Sequence, residues 1–176
     1  MSLAGKHVCI LAENEYEDLE LWYPLLRLKE EGARVTIAGP GRQTYNSKHG
    51  YPVKTDLAIN EAKTSDFDAV VIPGGSAPDR MRRHPPMVDF VREMNSQKKI
   101  IAAICHAGSM LVSANVLRGK NVTGFFSIKD DLVNAGGRYE DREVIRDGNL
   151  ITSRTPQDLP AFCRSIVEAL SSVAVS

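Results

Sequence analysis

A short apolar run, Ile100 to Ile104, follows Lys98 and Lys99 and stops abruptly at Cys105 and His106. A small-residue stretch with helical spacing, Ala107 to Leu111, begins at once. Five consecutive apolar residues bounded in this way read as a core strand of a parallel sheet, buried on both faces. A strand that swings into a helix within about two residues leaves its corner residue on a tight, strained turn with the side chain exposed. Here the corner residue is a thiol. Free cysteines are often no more than small buried hydrophobes, and cysteine usage alone favours that reading of Cys105. The adjoining His106 and the rest of the chain favour a nucleophile.

The flanking sequence repeats the same strand-and-helix logic. His7 to Ala12 predicts a first strand, and Glu17 to Glu31 a helix closed by Gly32 and kinked at Pro24. Leu21, Leu25 and Leu28 form its apolar stripe, widened by Trp22 and Leu26. Ala33 to Ala38 is a second strand. Gly39 to Thr55 is an irregular excursion with a hairpin through Asn46 to Gly50. Asp68 to Ile72 is a buried strand ending in Pro73-Gly74-Gly75, and a polar helix covers Pro86 to Asn95. After the Cys105 corner come a short strand at Asn121 to Gly124 and a short helix from Ile128 to Asn134. Two strands follow within Arg138 to Thr152, turning at Asp147-Gly148. Thr155-Pro156-Gln157-Asp158 reads as a capping box opening the last helix. Alternating strands and helices predict a single domain over residues 1–176. Its class is α/β, a three-layer doubly wound sandwich with a mostly parallel sheet. Chemistry in such sheets gathers beyond the carboxyl ends of the strands. Three strand ends therefore matter together: Glu13 to Glu17, Pro73 to Ser76, and Cys105-His106.

Composition narrows the function class. Lysine plus arginine balances aspartate plus glutamate at 22 each, so no net field favours nucleic acid or an anionic membrane. Cys9, Cys105 and Cys163 are an odd, scattered set, suited to a reducing cytoplasmic interior rather than a disulfide framework. No apolar run approaches the ~20 residues that span a bilayer, and Val8 to Ala12 is too short for a signal-peptide core.

A free thiol is only a few per cent thiolate at neutral pH. A helix N-terminus contributes roughly 0.3–1 kcal/mol, less than one pKa unit, so lowering the pKa of Cys105 requires a further donor or cation. His106 or a protonated carboxyl fits that need. The histidines are only His7, His49, His84 and His106, so nothing downstream of His106 serves as base. This argues against a class I glutamine amidotransferase. His7, His49 and His84 read as solvated surface residues. The acidic stretch Glu13 to Glu20 complements a helix dipole in its plain reading. Its functional candidates are Glu15 and Glu17, near enough to the helix start to face the crevice. Gly74-Gly75 is either a simple turn or a backbone able to offer an N–H to an oxyanion.

These segments together resemble the ThiJ/PfpI superfamily, most closely its PfpI-type intracellular proteases. The likeness runs through Asn14 to Glu20, Arg27 to Gly32, Lys48 to Tyr51, and Phe67 to Ala69 with Pro73 to Gly75. It continues through Ala103 to His106, Leu117 to Gly119, Lys129 to Asp131, Asn134 to Gly136, Thr152 to Pro156 and Asp158 to Pro160. The resemblance implies a flavodoxin-like fold, related to that of class I glutamine amidotransferases. It also implies Cys105 as nucleophile, Glu17 as the carboxylic acid hydrogen-bonded to it, and His106 as base. Gly75 and His106 N–H groups would form the oxyanion hole. Asp79 of a neighbouring subunit would orient the histidine, which calls for a dimer or hexamer. No cofactor or metal is implied. Two departures stand out: Asp79 is a methylene shorter than the glutamate of some members, and Ala107-Gly108-Ser109 follows the thiol where Gly-Pro or Gly-Gln is commoner. The implied functions are peptidase or amidase chemistry, and glyoxalase or deglycase chemistry on methylglyoxal or its amine adducts. Both act on a short peptide or small carbonyl substrate. The competing reading is a non-catalytic cysteine sensor of redox stress, or a chaperone, with Cys9 and Cys163 as unreactive core residues in either case.

Overall fold

A computed structural model describes residues 2–172. In chain order these form β1 (His7–Leu11), α1 (Asp18–Glu30), β2 (Arg34–Gly39), β3 (Thr44–Asn46), β4 (Pro52–Lys54), β5 (Leu57–Ala58) and β6 (Ala69–Ile72). Then come α2 (Ala77–Met81), α3 (Pro85–Ser96), β7 (Ile100–Ile104), α4 (Gly108–Ala114), β8 (Asn121–Val122) and α5 (Lys129–Asn134). The chain closes with β9 (Arg138–Tyr139), β10 (Ile145–Asp147), β11 (Leu150–Ser153) and α6 (Leu159–Ser172). Seven strands make one sheet in the order β10-β11-β7-β6-β1-β2-β5. Only the β10–β11 pair is antiparallel, as the doubly wound α/β reading requires. Among the described residues no helix is long and apolar enough to cross a membrane.

The centre of the sheet is apolar on both faces. Val70, Val71, Ile72, Ile101 and Ile104 are fully buried, each worth about 1.5–3 kcal/mol relative to exposure. Register pairs Val71 with Ala102 and Ile10 with Val71. Parallel β1, β6 and β7 are therefore adjacent, and their carboxyl ends open on the same edge.

Several local expectations change. The α1 helix is continuous through Pro24 and begins one residue later than predicted, because Glu17 is its N-cap. Trp22 is only half-buried and Leu26 is 60% exposed, so the buried stripe is narrower than the apolar pattern suggests. Thr155 makes no side-chain cap; the Asp158 carboxylate instead takes the Arg154 backbone N–H and guanidinium. Arg138–Tyr139 does not join the Asp147-Gly148 hairpin but pairs in parallel with β8 outside the main sheet. The α2 helix was not foreseen, its five residues being too few for a periodic signal.

Candidate active site

At the end of β7 the backbone passes from Ile104 in extended geometry to Cys105 at φ +62°, then into a short 3₁₀ turn and α4. A non-glycine residue in that region carries real steric cost. The strained corner predicted for the thiol is therefore present. Its sulfur is not held out in solvent: Cys105 is 8% exposed and lies against a cavity of about 560 Å³ at the carboxyl edge of the sheet. Ala107 keeps φ −62°, so replacing a glycine there costs nothing in backbone conformation.

Two glycines bring the end of β6 against the thiol. A Cβ on Gly74 would sit 2.5 Å from Glu20 Oε1, 2.8 Å from Cys105 Cβ and 3.0 Å from the Ile104 carbonyl oxygen. Gly75, at φ +77°, is held by a bridge to Tyr16. The Gly75 and His106 backbone N–H groups lie close enough to the Cys105 sulfur to pull its thiol pKa down. These are the two backbone groups that the resemblance implies as oxyanion donors.

The acid beside the thiol is Glu20, not Glu17. Glu17 spends Oε2 on the helix, accepting from the Leu19 N–H at 2.8 Å and the Glu20 N–H at 3.1 Å, while Oε1 lies 3.8 Å from Lys48 Nζ. It lines the cavity but serves as the cap. Glu20, one turn further on, is wholly buried. Its Oε1 accepts from the Gly74 N–H at 2.8 Å, its carboxyl interacts with the Cys105 side chain, and Oε2 has no other hydrogen-bond partner. Glu20 lies with Pro24 and Leu28 at i, i+4 and i+8 on the buried face of α1. A carboxyl on that buried stripe is the sequence signal that points to it. Glu15, the other candidate, sits at φ +69°, where its carbonyl takes the Ser76 and Ala77 N–H groups.

Burial, then the Glu17 carboxylate, pushes the Glu20 carboxyl up to about 8. At neutral pH it is protonated. Burial also pushes the Cys105 thiol up to about 12, against the pull of the two N–H groups and Lys48. This reverses the expected lowering, since desolvation of the sulfur outweighs the donors around it. His106 offers Nδ1 to the sulfur at 3.3 Å. Burial and Lys48 lower its pKa, so it is a neutral imidazole. Its ring stacks on Phe125 at 4.7 Å between centroids, and Nε2 lies 3.3 Å from Ser127 Oγ.

Asp79 also borders the cavity, yet within one chain its carboxylate is taken by Arg83 at 2.5 Å and makes no bond to His106. Lys48, carried in by the loop after β3 and held by its N–H to the Tyr16 carbonyl, is a site residue the sequence did not single out. Of the other histidines only His49 is fully at the surface, paired with Asp18. His7 is half-buried, packed against the tilted ring of Phe67 and bonded to Thr36, and His84 lies 3.1 Å from the buried Glu13 carboxylate. Cys9 and Cys163 are core residues whose thiols burial pushes upward. Glu17, Asp18 and His49 bring ligand atoms within 4.8 Å of one another. Each is already used, as helix cap or in the Asp18 bonds to Ser47 and His49.

The chain is similar to known proteins over most of its length. The model of the DJ-1/PfpI family matches residues 6–169. A deglycase of Pyrococcus horikoshii is 48% identical over 93% of this chain and 98% of its own length. General stress protein 18 of Bacillus subtilis is 37% identical over 94% and 98%. Among solved structures, a two-domain protein of Anabaena variabilis with DJ-1/ThiJ/PfpI-like and ferritin-like domains superposes with a TM-score of 0.92 at 46% identity. That match covers 94% of this chain and 48% of that one. Drosophila melanogaster DJ-1beta gives 0.88 at 33% identity, covering 94% and 90%.

Proposed function

We propose that this chain, which belongs to the DJ-1/PfpI family, is a cysteine-dependent enzyme acting on small carbonyl compounds, methylglyoxal or its adducts on amines. The observation that carries this reading is the convergence on one sulfur of two backbone donors, a buried protonated acid and a neutral imidazole. Several relatives are named deglycases, which favours this version over peptide hydrolysis.

With methylglyoxal, the sulfur bonds to the aldehyde carbon while the thiol proton passes through His106 Nδ1 to the aldehyde oxygen. Charge developing on that oxygen meets the Gly75 and His106 N–H groups. The proton on the former aldehyde carbon then goes to His106, Glu20 supplies one to the neighbouring carbon, and the hydroxyl proton moves across to the other oxygen. The product is a lactoyl thioester on Cys105. Water cleaves it, releasing lactate and returning a thiol. Protonated His106 gives its proton back to the Glu20 carboxylate.

The competing sensor reading is separated by mild peroxide and mass spectrometry: selective stable sulfinate at Cys105 without steady turnover on any carbonyl would favour it. Assembly into at least a dimer and residence in the cytoplasm belong to the enzyme reading as family expectations. The deciding experiment follows methylglyoxal consumption and lactate release by the intact protein, Cys105→Ser and Glu20→Gln. Turnover lost in both variants is the expected result; equal turnover in all three removes the reading.

A further inference from the structure

His106 can accept the thiol proton only if Nδ1 carries a lone pair, so in the neutral ring the hydrogen must sit on Nε2. Something has to hold that tautomer. Within one protomer the group at Nε2 is the Ser127 hydroxyl, 3.3 Å away on the turn between β8 and α5. Asp79 does not reach the ring; it is bound to Arg83. Phe125, two residues before Ser127, stacks on the imidazole and fixes its plane, so both nitrogens have set directions.

We infer that Ser127 is a positioning residue that accepts the Nε2–H of His106 and thereby keeps Nδ1 bare toward Cys105. When the proton passes from Sγ to Nδ1, the ring becomes a cation with two N–H bonds. The Ser127 oxygen already faces the second of them, and a hydrogen bond to a charged donor is stronger than one to a neutral donor. Cys105, His106 and Ser127 then form a relay of groups that one protomer supplies. This rests on Cys105 and His106 being the nucleophile and base proposed above, but it makes no use of the carbonyl substrate.

The test is therefore run without substrate. Long-range ¹H–¹⁵N NMR of the full chain reads the His106 tautomer at neutral pH. Iodoacetamide alkylation of Cys105, followed from pH 5 to 9 by peptide mass spectrometry, is compared in the intact protein, Ser127→Ala and Ser127→Thr. The expected result is an Nε2–H tautomer in the intact protein. Alkylation at pH 7 in Ser127→Ala should fall about fivefold, with its profile displaced to higher pH, and Ser127→Thr should restore both. An Nδ1–H tautomer, an unmoved profile in Ser127→Ala, or a threonine variant as slow as the alanine one overturns the inference. A normal relay in a protein that fails to turn over methylglyoxal would remove the proposed substrate and leave the relay standing.

Discussion

Glu20 and Cys105 come from elements 85 residues apart in sequence, yet Gly74 is pressed between them so closely that its missing side chain is a condition of their contact. Its N–H holds Glu20 Oε1 at 2.8 Å, and the following Gly75 N–H turns to the sulfur. The relative placement of these two side chains is set by the backbone that follows β6.

Glu20 and Glu17 should separate in mutagenesis. Glu20→Gln keeps the shape but removes the transferable proton, and turnover should fall by roughly 10²–10⁴-fold. Glu17→Ala removes a helix cap and should cost about 1 kcal/mol, seen as a lower denaturation midpoint, with a smaller loss of turnover. Equal kinetic losses in the two variants would put the acid back at Glu17.

Stability should depend on pH through Glu20. In the unfolded chain its carboxyl ionises near the ordinary value, while in the fold it stays protonated up to about 8. Between those limits the unfolded state holds fewer protons, so stability falls as pH rises, by at most about 1.4 kcal/mol per pH unit. Below the window the contribution is constant, and above it the slope disappears. Urea titrations of the intact protein against Glu20→Gln, from pH 4 to 9, should show this slope only in the former.

Gly74→Ala should be disruptive although alanine is small. Its methyl group would meet Ile104 backbone as well as Glu20 and Cys105, and overpacking of this kind costs about 1–3 kcal/mol. Thermal denaturation should reveal that loss, and alkylation of Cys105 should change with it.

Relief of strain should appear at the thiol itself. Cys105 holds φ +62°, a conformation that costs an L-residue roughly 1–2 kcal/mol and glycine very little. Cys105→Gly should therefore be more stable than Cys105→Ala by about 1 kcal/mol, measured by chemical denaturation. The reverse order would show that the corner carries no backbone strain.

The central architecture was legible because burial on both faces leaves an unmistakable apolar run: Ile100 to Ile104 and Ala69 to Ile72 mark adjacent parallel strands directly. The corner at Cys105 follows from its run ending in small residues, whereas Gly74-Gly75 alone left a turn and a donor equally open and only the resemblance implied the donor at Gly75. Glu20 was hidden for a different reason. Its neighbours Asp18 and Glu17 are acidic for the sake of the helix dipole and cap, and only rotation about the helix axis separates the inward carboxyl from the outward ones. Lys48 and Ser127 lie on connections of no periodic pattern, so the approach of Lys48 to the cavity and of Ser127 to His106 depends on tertiary placement. The resemblance named the correct family while assigning its acid to the wrong turn of α1.

The cap at Glu17 has an effect beyond the stability of α1. By gripping the amide of Glu20 itself, it fixes the rotational phase at which the helix leaves β1, and so the direction in which the buried carboxyl points. Inserting one residue between the cap and Glu20 would turn that carboxyl about 100° around the helix axis, away from the sulfur.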